Sequence, residues 1–509
     1  MAGIEALRHP EVIVGLVGPA GTDLRVVIRC ISAEFTAIGY AICEVRLSTL
    51  LHSFTQFGHL AEITHDEAAR IDAHMDAADD LRQRTDCADI MALLSVARIR
   101  KERRDNASEH APPASRVVYL LNSLKHPEEI ETLRKIYGDL FLTVSVYAPR
   151  ADRVARLAER IAQSKSNSNG DRYRADAERL VEKDANAGRS GTGQNVRDAF
   201  PKGDLFLRWG AEAAMRAELR RFVELIFGHP FHTPRRDEYS MFIAQAAALR
   251  SADLSRQVGA AILSDGGSIL GVGCNDVPKA GGGVVWSGDT DDFRDFVIGY
   301  DASAKKKREI VREIFSNLRQ ANWIAETLND RTVDQLVDEA LETGTNPPLR
   351  DARVSSIIEF GRIVHAEMNA ILDAMSKGQS ATGSTLYCTT FPCHMCARHI
   401  VGAGIRKVVY IEPYPKSLAR DLYRNEICVE DDGDRPNIVR FEAFVGVAPR
   451  QYMQLFAMPH RKTRSGDSVE WQATSATYRY RVLNRAYLDN ESAVGNHVKT
   501  VLAATGLEM

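Results

Sequence analysis

Two short stretches place metal-binding residue types at regular spacing. In IVHAEMNAIL (363–372), His365 and Glu367 sit two apart inside an apolar, helix-forming run. In TTFPCHMCARHI (389–400), Cys393 and Cys396 follow Pro392 at C-x-x-C spacing. Together they offer one imidazole nitrogen and two thiolates. Zinc takes such ligands tetrahedrally, and three protein ligands leave a fourth position for water. That water becomes a nucleophile near neutral pH, so the chemistry on offer is hydrolysis. A carboxylate at Glu367 can carry protons beside the metal without ligating it. Alone, an H-x-E triplet is weak, and a C-x-x-C pair reads equally as a redox couple or half of a structural zinc site. The conjunction, with the proline and a strand-then-helix order, favours the catalytic reading. His394, between the cysteines, is expected to point elsewhere.

Elements must hold these residues in place. VHAEMNAILDAM is predicted to start a helix at His365, and PCHMCARHIVGAG a second one; GSTLYCTTF is a strand feeding it. Two helix N-termini turned toward one metal help stabilise thiolates. Upstream, EYSMFIAQAAALRSA reads as a helix. RQVGAAILSDGGSILGVGCN reads as two strands joined by an Asp-Gly-Gly turn. The pattern then breaks between 279 and 350, an insertion with one helix over 304–328.

The amino-terminal half alternates strands and helices, which implies a parallel sheet. EVIVGLVG (11–18) is a buried strand, followed by a helix over 21–39 capped by Gly39, and by strands at 115–124 and 139–148. GLVGPAGTDLRVV has the position of a phosphate-binding loop, with Gly18, Gly21 and Thr22 in the turn. The last three positions of G-x-x-x-x-G-K-[ST] are occupied by Asp23, Leu24 and Arg25. The lysine and the magnesium-holding hydroxyl are absent, so the loop is degenerate for ATP hydrolysis. Arg25 is a weak candidate to replace the charge. Arg150, Arg153 and Arg156 lie on a later helix, where a solvated face is as good a reading as phosphate binding. Residues 164–193 read as loops around a short helix, 227–238 as a linker, and 465–509 carry little signal.

The chain has 509 residues, 44% hydrophobic and 26% charged, with a net charge of −3. This suits a folded protein of two or three domains. It gives no bulk charge for nucleic acid, and no basic stripe interleaved with aromatics is present. The eight cysteines suit a reduced interior rather than a disulfide scaffold. No signal peptide or membrane span is read, so a cytoplasmic protein without membrane association is expected.

The arrangement His365-Ala366-Glu367 with Pro392-Cys393-His394-Met395-Cys396 matches the signature of zinc nucleobase deaminases. The carboxy-terminal half resembles the deoxycytidylate deaminase branch of the cytidine deaminase superfamily through SRQVGAAIL, GVGCNDVP, HAEMNA and YIEPYPKSLARDLY. The resemblance implies Glu367 as the catalytic proton carrier. It also implies His365, Cys393 and Cys396 as ligands of Zn2+. Asn275 would be a sugar contact and Asn369 a ligand contact. Tyr414 and Lys416 would sit on a substrate-covering loop. Arg256, Lys279 and Lys416 are candidates for the phosphate.

With NSLKHPEE, GQNVRDAFPKGDLF and VPKAGGGVVW, most of 11–460 is similar to bacterial anti-phage deoxycytidylate/dCTP deaminases. The implied fold is α/β: a P-loop-kinase-like parallel sheet at 1–228, degenerate and regulatory, and a cytidine-deaminase-like α/β/α domain at 235–464, with 465–509 as a C-terminal extension. The implied activity is deamination of deoxycytidine nucleotides, dCMP or dCTP, in antiviral defence. A homo-oligomer is expected, and a regulatory nucleotide or RNA is a further candidate partner. The rival readings are a deaminase acting on RNA or single-stranded DNA, and a nucleotide sensor with a structural zinc.

Overall fold

A computed structural model describes the chain except residues 1–8, 106–114, 187–192, 345–346, 351, 414–416, 431–436, 459, 481, 483–485 and 509. The chain forms two units, one of residues 1–238 with 444–509 and one of residues 239–443. Both are α/β.

In the first unit, β1 (Val12–Val17), β2 (Ala41–Arg46), β3 (Val117–Leu124), β4 (Phe141–Tyr147) and β5 (Leu205–Arg208) are parallel in the order β2-β3-β1-β4-β5. Every residue of β1 is buried, as expected of a central strand with both faces covered. The helix Leu24–Ala37 follows the glycine turn, and Asp23 caps it by accepting from the Arg25 N–H. Gly39 closes it at φ +83, donating to the Thr36 carbonyl, a left-handed terminus that suits glycine.

Several boundaries differ from the sequence reading. The first unit runs to Glu238 and the second begins at Tyr239, not at 228 and 235, and the expected linker 227–238 ends inside the helix Arg236–Ala248. The second unit ends at Ala443 rather than near 464, because the short strand Gly446–Val447 pairs antiparallel with β5 in the first sheet. Nor is 465–509 a separate extension. Its helix, Tyr487–Thr505, packs on the helix Ile90–Asp105. There Arg103 binds both Glu491 (2.7 Å) and Glu11 (2.6 Å), two carboxylates each 1% exposed. Within 164–193, the helix Arg174–Asn186 is longer than expected, and 187–192 lie outside the described residues.

In the second unit, β6 (Gly259–Leu263) and β7 (Ile269–Cys274) form the predicted hairpin, with Gly267 at φ +86 in its turn. β8 (Thr385–Thr390) is antiparallel to β6. β9 (Lys407–Glu412), β10 (Ile427–Val429) and β11 (Val439–Ala443) complete the order β7-β6-β8-β9-β11-β10. The helices Ala366–Ser376 and His394–Gly402 share one core with these strands, built from Ala370, Ala397, Ile400, Ile262, Leu386 and Phe441. In the insertion, after the short helix Asp295–Ile298, the predicted helix is Ala302–Gln320 and stops short of 328, with Asn322 left-handed at φ +57. It is ion-paired to a second helix, Val333–Leu341, through Arg312 and Asp334 (2.5 Å).

No helix among the described residues is long and apolar enough to cross a membrane.

Candidate metal centre

The two stretches that suggested chemistry converge because each opens a helix. His365 is the N-cap of Ala366–Ser376. Cys393 is the N-cap of His394–Gly402, and its sulfur accepts from the Cys396 N–H at 3.4 Å. β8 runs into this second helix through Phe391 and Pro392, so the strand fixes where the cysteines stand. His365 Nδ1 lies 3.3 Å from Cys393 Sγ and 3.3 Å from Cys396 Sγ.

The donor set fits zinc. Bonds of about 2.0 Å to nitrogen and 2.3 Å to sulfur place neighbouring ligands roughly 3.5 Å apart on a tetrahedron. His394 turns away, with its Nε2 3.7 Å from Glu359. A second group of donor types, Glu224, His229 and His232, lies in the first unit. There His232 Nε2 meets Glu224 at 2.5 Å and the two imidazoles stack at 4.2 Å, with one donor atom of each residue within 4.8 Å of the others.

Glu367 is 4% exposed and lines the same cavity as His365 and Cys393. Burial pushes its carboxyl above the ordinary range, and negative charge on Cys393 adds to this. The Cys393 thiol is pulled down, first by hydrogen bonding from Cys396 and then by His365, with burial opposing. The cavity is about 280 Å³ and is also lined by Asp253, Ser255, Arg256, Asn275, Thr390 and Phe391. Sequence reasoning missed four of these. Thr390 and Phe391 carry a signal in retrospect, since they directly precede the Pro-Cys motif; Asp253 and Ser255 carry none.

The remaining expected contacts divide. Asn275 reaches the cavity wall, but its amide is fully engaged. It accepts from the Val258 N–H (2.7 Å) and donates to Asp253 and to the Arg256 carbonyl, both at 2.8 Å. It therefore ties together the segment that forms the wall. Asn369 does not line the cavity: its amide donates to the Cys274 carbonyl at 2.7 Å, fastening the helix to β7. Arg256 lines the cavity and pairs with Glu412 at 3.3 Å. Lys279 lies in another cavity, with Asp289 (2.9 Å), Phe293 and Arg362. Tyr414 and Lys416 lie outside the described residues.

In the first unit a tight turn follows Gly18: the Thr22 N–H donates to the Pro19 carbonyl at 3.1 Å, with Gly21 at φ +87. A methyl at Gly21 would meet the Arg153 carbonyl oxygen at 2.4 Å. Arg25 does not replace the missing lysine. It bonds back to Asp23 at 3.1 Å and is 72% exposed. Arg153 bonds the Ala20 carbonyl at 3.3 Å, and Arg156 stacks 3.1 Å over the Trp209 ring. These two arginines hold the protein's own parts.

Residues 234–412 match the family described as "Cytidine and deoxycytidylate deaminase zinc-binding region". The match lies almost wholly in the second unit, and its zinc-binding region, with the His365, Cys393 and Cys396 donors, supports zinc as the cofactor. The deoxycytidylate deaminase of Enterobacteria phage T2 is 50% identical over 64 residues, which are 12% of this chain and 34% of that protein. The probable deoxycytidylate deaminase of Drosophila melanogaster is 27% identical over 175 residues, 34% of this chain and 58% of that protein. The chain thus spans between a third and just over half the length of these curated relatives. Among solved structures, the dCMP deaminase of cyanophage S-TIM5 aligns over 42% of this chain and all of its own, at 21% identity and a TM-score of 0.22.

Proposed function

We propose that the protein is a zinc-dependent deaminase that converts deoxycytidine nucleotides to deoxyuridine nucleotides. The observation that carries this reading is one cavity lined by His365, Cys393 and the buried carboxyl of Glu367, with Cys396 Sγ completing the donor set 3.3 Å from His365 Nδ1. The relatives named as deoxycytidylate deaminases support dCMP as the substrate.

In this reading His365, Cys393 and Cys396 hold the zinc, whose Lewis acidity lets water attack near neutral pH. Glu367 moves the protons. It takes one from the attacking water and gives it to ring N3 as the water oxygen bonds to C4. It then takes the remaining hydroxyl proton and hands it to the amino group. The C4–N bond breaks, ammonia leaves and the C4 carbonyl forms. Dry surroundings suit this work, because a raised carboxyl pKa lies nearer the working pH. Arg256, half-exposed at the mouth, is the described cation best placed for the substrate phosphate; Asn275 positions the wall beside it.

The resemblance noted in the sequence extends the proposal. dCTP is a second candidate substrate, and depletion of deoxycytidine nucleotides in antiviral defence is the candidate role. The first unit is then a regulatory, kinase-like domain, and the working form a cytoplasmic homo-oligomer whose regulator is a nucleotide or RNA.

The test is to incubate the protein with dCMP, dCTP, CMP, cytidine and a cytosine-containing oligonucleotide, and to measure ammonia and uracil product. Product from dCMP or dCTP is expected. Product from the oligonucleotide alone, or from none, overturns the proposal.

A further inference from the structure

In the first unit the glycine turn is already occupied by the protein's own carboxylate. Asp184, 1% exposed, accepts a hydrogen bond from the Ala20 N–H at 2.6 Å. Its other oxygen accepts from Lys125 Nζ at 2.9 Å, and the same ammonium donates to the Gly18 carbonyl at 2.9 Å. An internal anion and an internal cation thus stand where a glycine loop and its lysine would cradle a nucleotide's outer phosphates. A triphosphate would have to displace a buried ion pair and leave Asp184 uncompensated, which is costly.

The space beside the turn remains open. It is a cavity of about 220 Å³ within this unit. Two nearly buried side chains in its wall have a polar atom without a hydrogen-bond partner among the described residues: the Thr22 hydroxyl (residue 8% exposed) and the Gln194 carboxamide oxygen (residue 5% exposed). Such groups cost free energy unless something meets them.

Of the cavity's cations, Arg82 is paired with Glu129 and Lys125 with Asp184, but Arg46, Arg70 and Arg160 are undercompensated. Arg70 and Arg160 share a single carboxylate, Glu67. Arg46 has no ion pair among the described residues. Desolvation and then the neighbouring Arg70 push its guanidinium below its usual pKa. An anion between these three groups would relieve the crowding, and guanidinium pairs suit a phosphate. Leu47, Leu51, Ile71 and Met75 supply apolar wall.

We infer that this cavity binds a small molecule with one phosphate group and a planar ring, the class of a nucleoside monophosphate, and holds it without phosphoryl transfer. Arg46, Arg70 and Arg160 take the phosphate, the apolar wall takes the ring, and Thr22 and Gln194 bond its polar edge. The retained Asp184–Lys125 pair selects against a triphosphate.

The experiment is calorimetric titration of the full chain, without added magnesium, with AMP, GMP, dTMP, ATP and inorganic phosphate. Cytosine nucleotides are left out because the second unit is proposed to bind them. At least one monophosphate should bind, one per chain, about tenfold or more tighter than either ATP or inorganic phosphate. Arg46→Ala, at an exposed position, should weaken that binding by about tenfold. Thr22→Val, which keeps the side-chain shape, should weaken it too. Three results would overturn the inference: no monophosphate binds, ATP or free phosphate binds as tightly, or both variants bind as the parent does.

Discussion

Gly273 lies directly against the helix that carries Glu367: a methyl built on it would stand 2.4 Å from the Ala366 carbonyl oxygen. Gly271, two residues earlier on the same face of β7, is pressed equally close, at 2.2 Å from the Ala370 carbonyl oxygen. The absence of two side chains therefore sets the depth of the helix, and with it the depth of His365 and Glu367. Gly273→Ala should destabilise the protein by about 1–3 kcal/mol or more through overpacking. It should also lower turnover out of proportion to the folded fraction. Thermal unfolding and kcat measured on the same sample check this; an unchanged Tm would refute it.

Replacing Cys396 with serine should remove the zinc. Metal analysis of the parent is expected to give one zinc per chain in the second unit, and Cys396→Ser close to none. Chelation of the parent should abolish deamination, and added zinc should restore it.

Glu367→Gln separates holding the metal from moving protons. The variant should keep its zinc and its fold but lose about 10²–10⁴-fold in kcat, the usual contribution of a positioned acid–base group. Substantial residual turnover would give the proton transfer to another group.

Asn275→Ala should act through the wall it ties together. Three hydrogen bonds to Val258, Asp253 and Arg256 are lost, at a cost of about 1–3 kcal/mol in stability. KM for dCMP should rise more than kcat falls, because the loosened segment includes Arg256.

A pH dependence follows from Glu34, which accepts from Arg216 (2.6 Å) and Arg220 (3.0 Å) and joins the helices Leu24–Ala37 and Glu212–Ile226. Burial raises its pKa, but the bonds to Arg220 and Arg216 outweigh this and hold the carboxyl below its ordinary value of 4.5. A depressed folded pKa stabilises the protein above the unfolded value and is lost as pH falls through the folded one. The Tm gap between the parent and Glu34→Gln should be full at pH 7 and shrink below about pH 4.5.

The candidate metal ligands were legible because they lie in two short stretches, with residue types that few other roles require. The helices and strands beside them were legible through period and capping, as with His365 and Cys393. The first unit's turn was legible only as a failed phosphate loop. The groups that complete it, Lys125 and Asp184, lie 107 and 164 residues from their partners Gly18 and Ala20, and no local spacing marks them. Asn369 shows the opposite limit. Its place in HAEMNA suggested a ligand contact, but the Cys274 carbonyl takes its amide. The helix Tyr487–Thr505 was hidden because its polar residues serve buried ion pairs. Glu491, which looks like a solvent-facing residue, meets Arg103.

The short strand Gly446–Val447 has a consequence for how the chain is made. It supplies the last strand of a sheet whose other five strands are complete by Arg208. During synthesis, all of 239–443 leaves the ribosome before that strand exists. The zinc-binding unit can therefore finish folding, and load its metal, while β5 still has an unpaired edge. An expression product stopped at Ala443 would keep the metal site and carry that open edge. Such a product should self-associate through β5 rather than behave as a trimmed version of the parent.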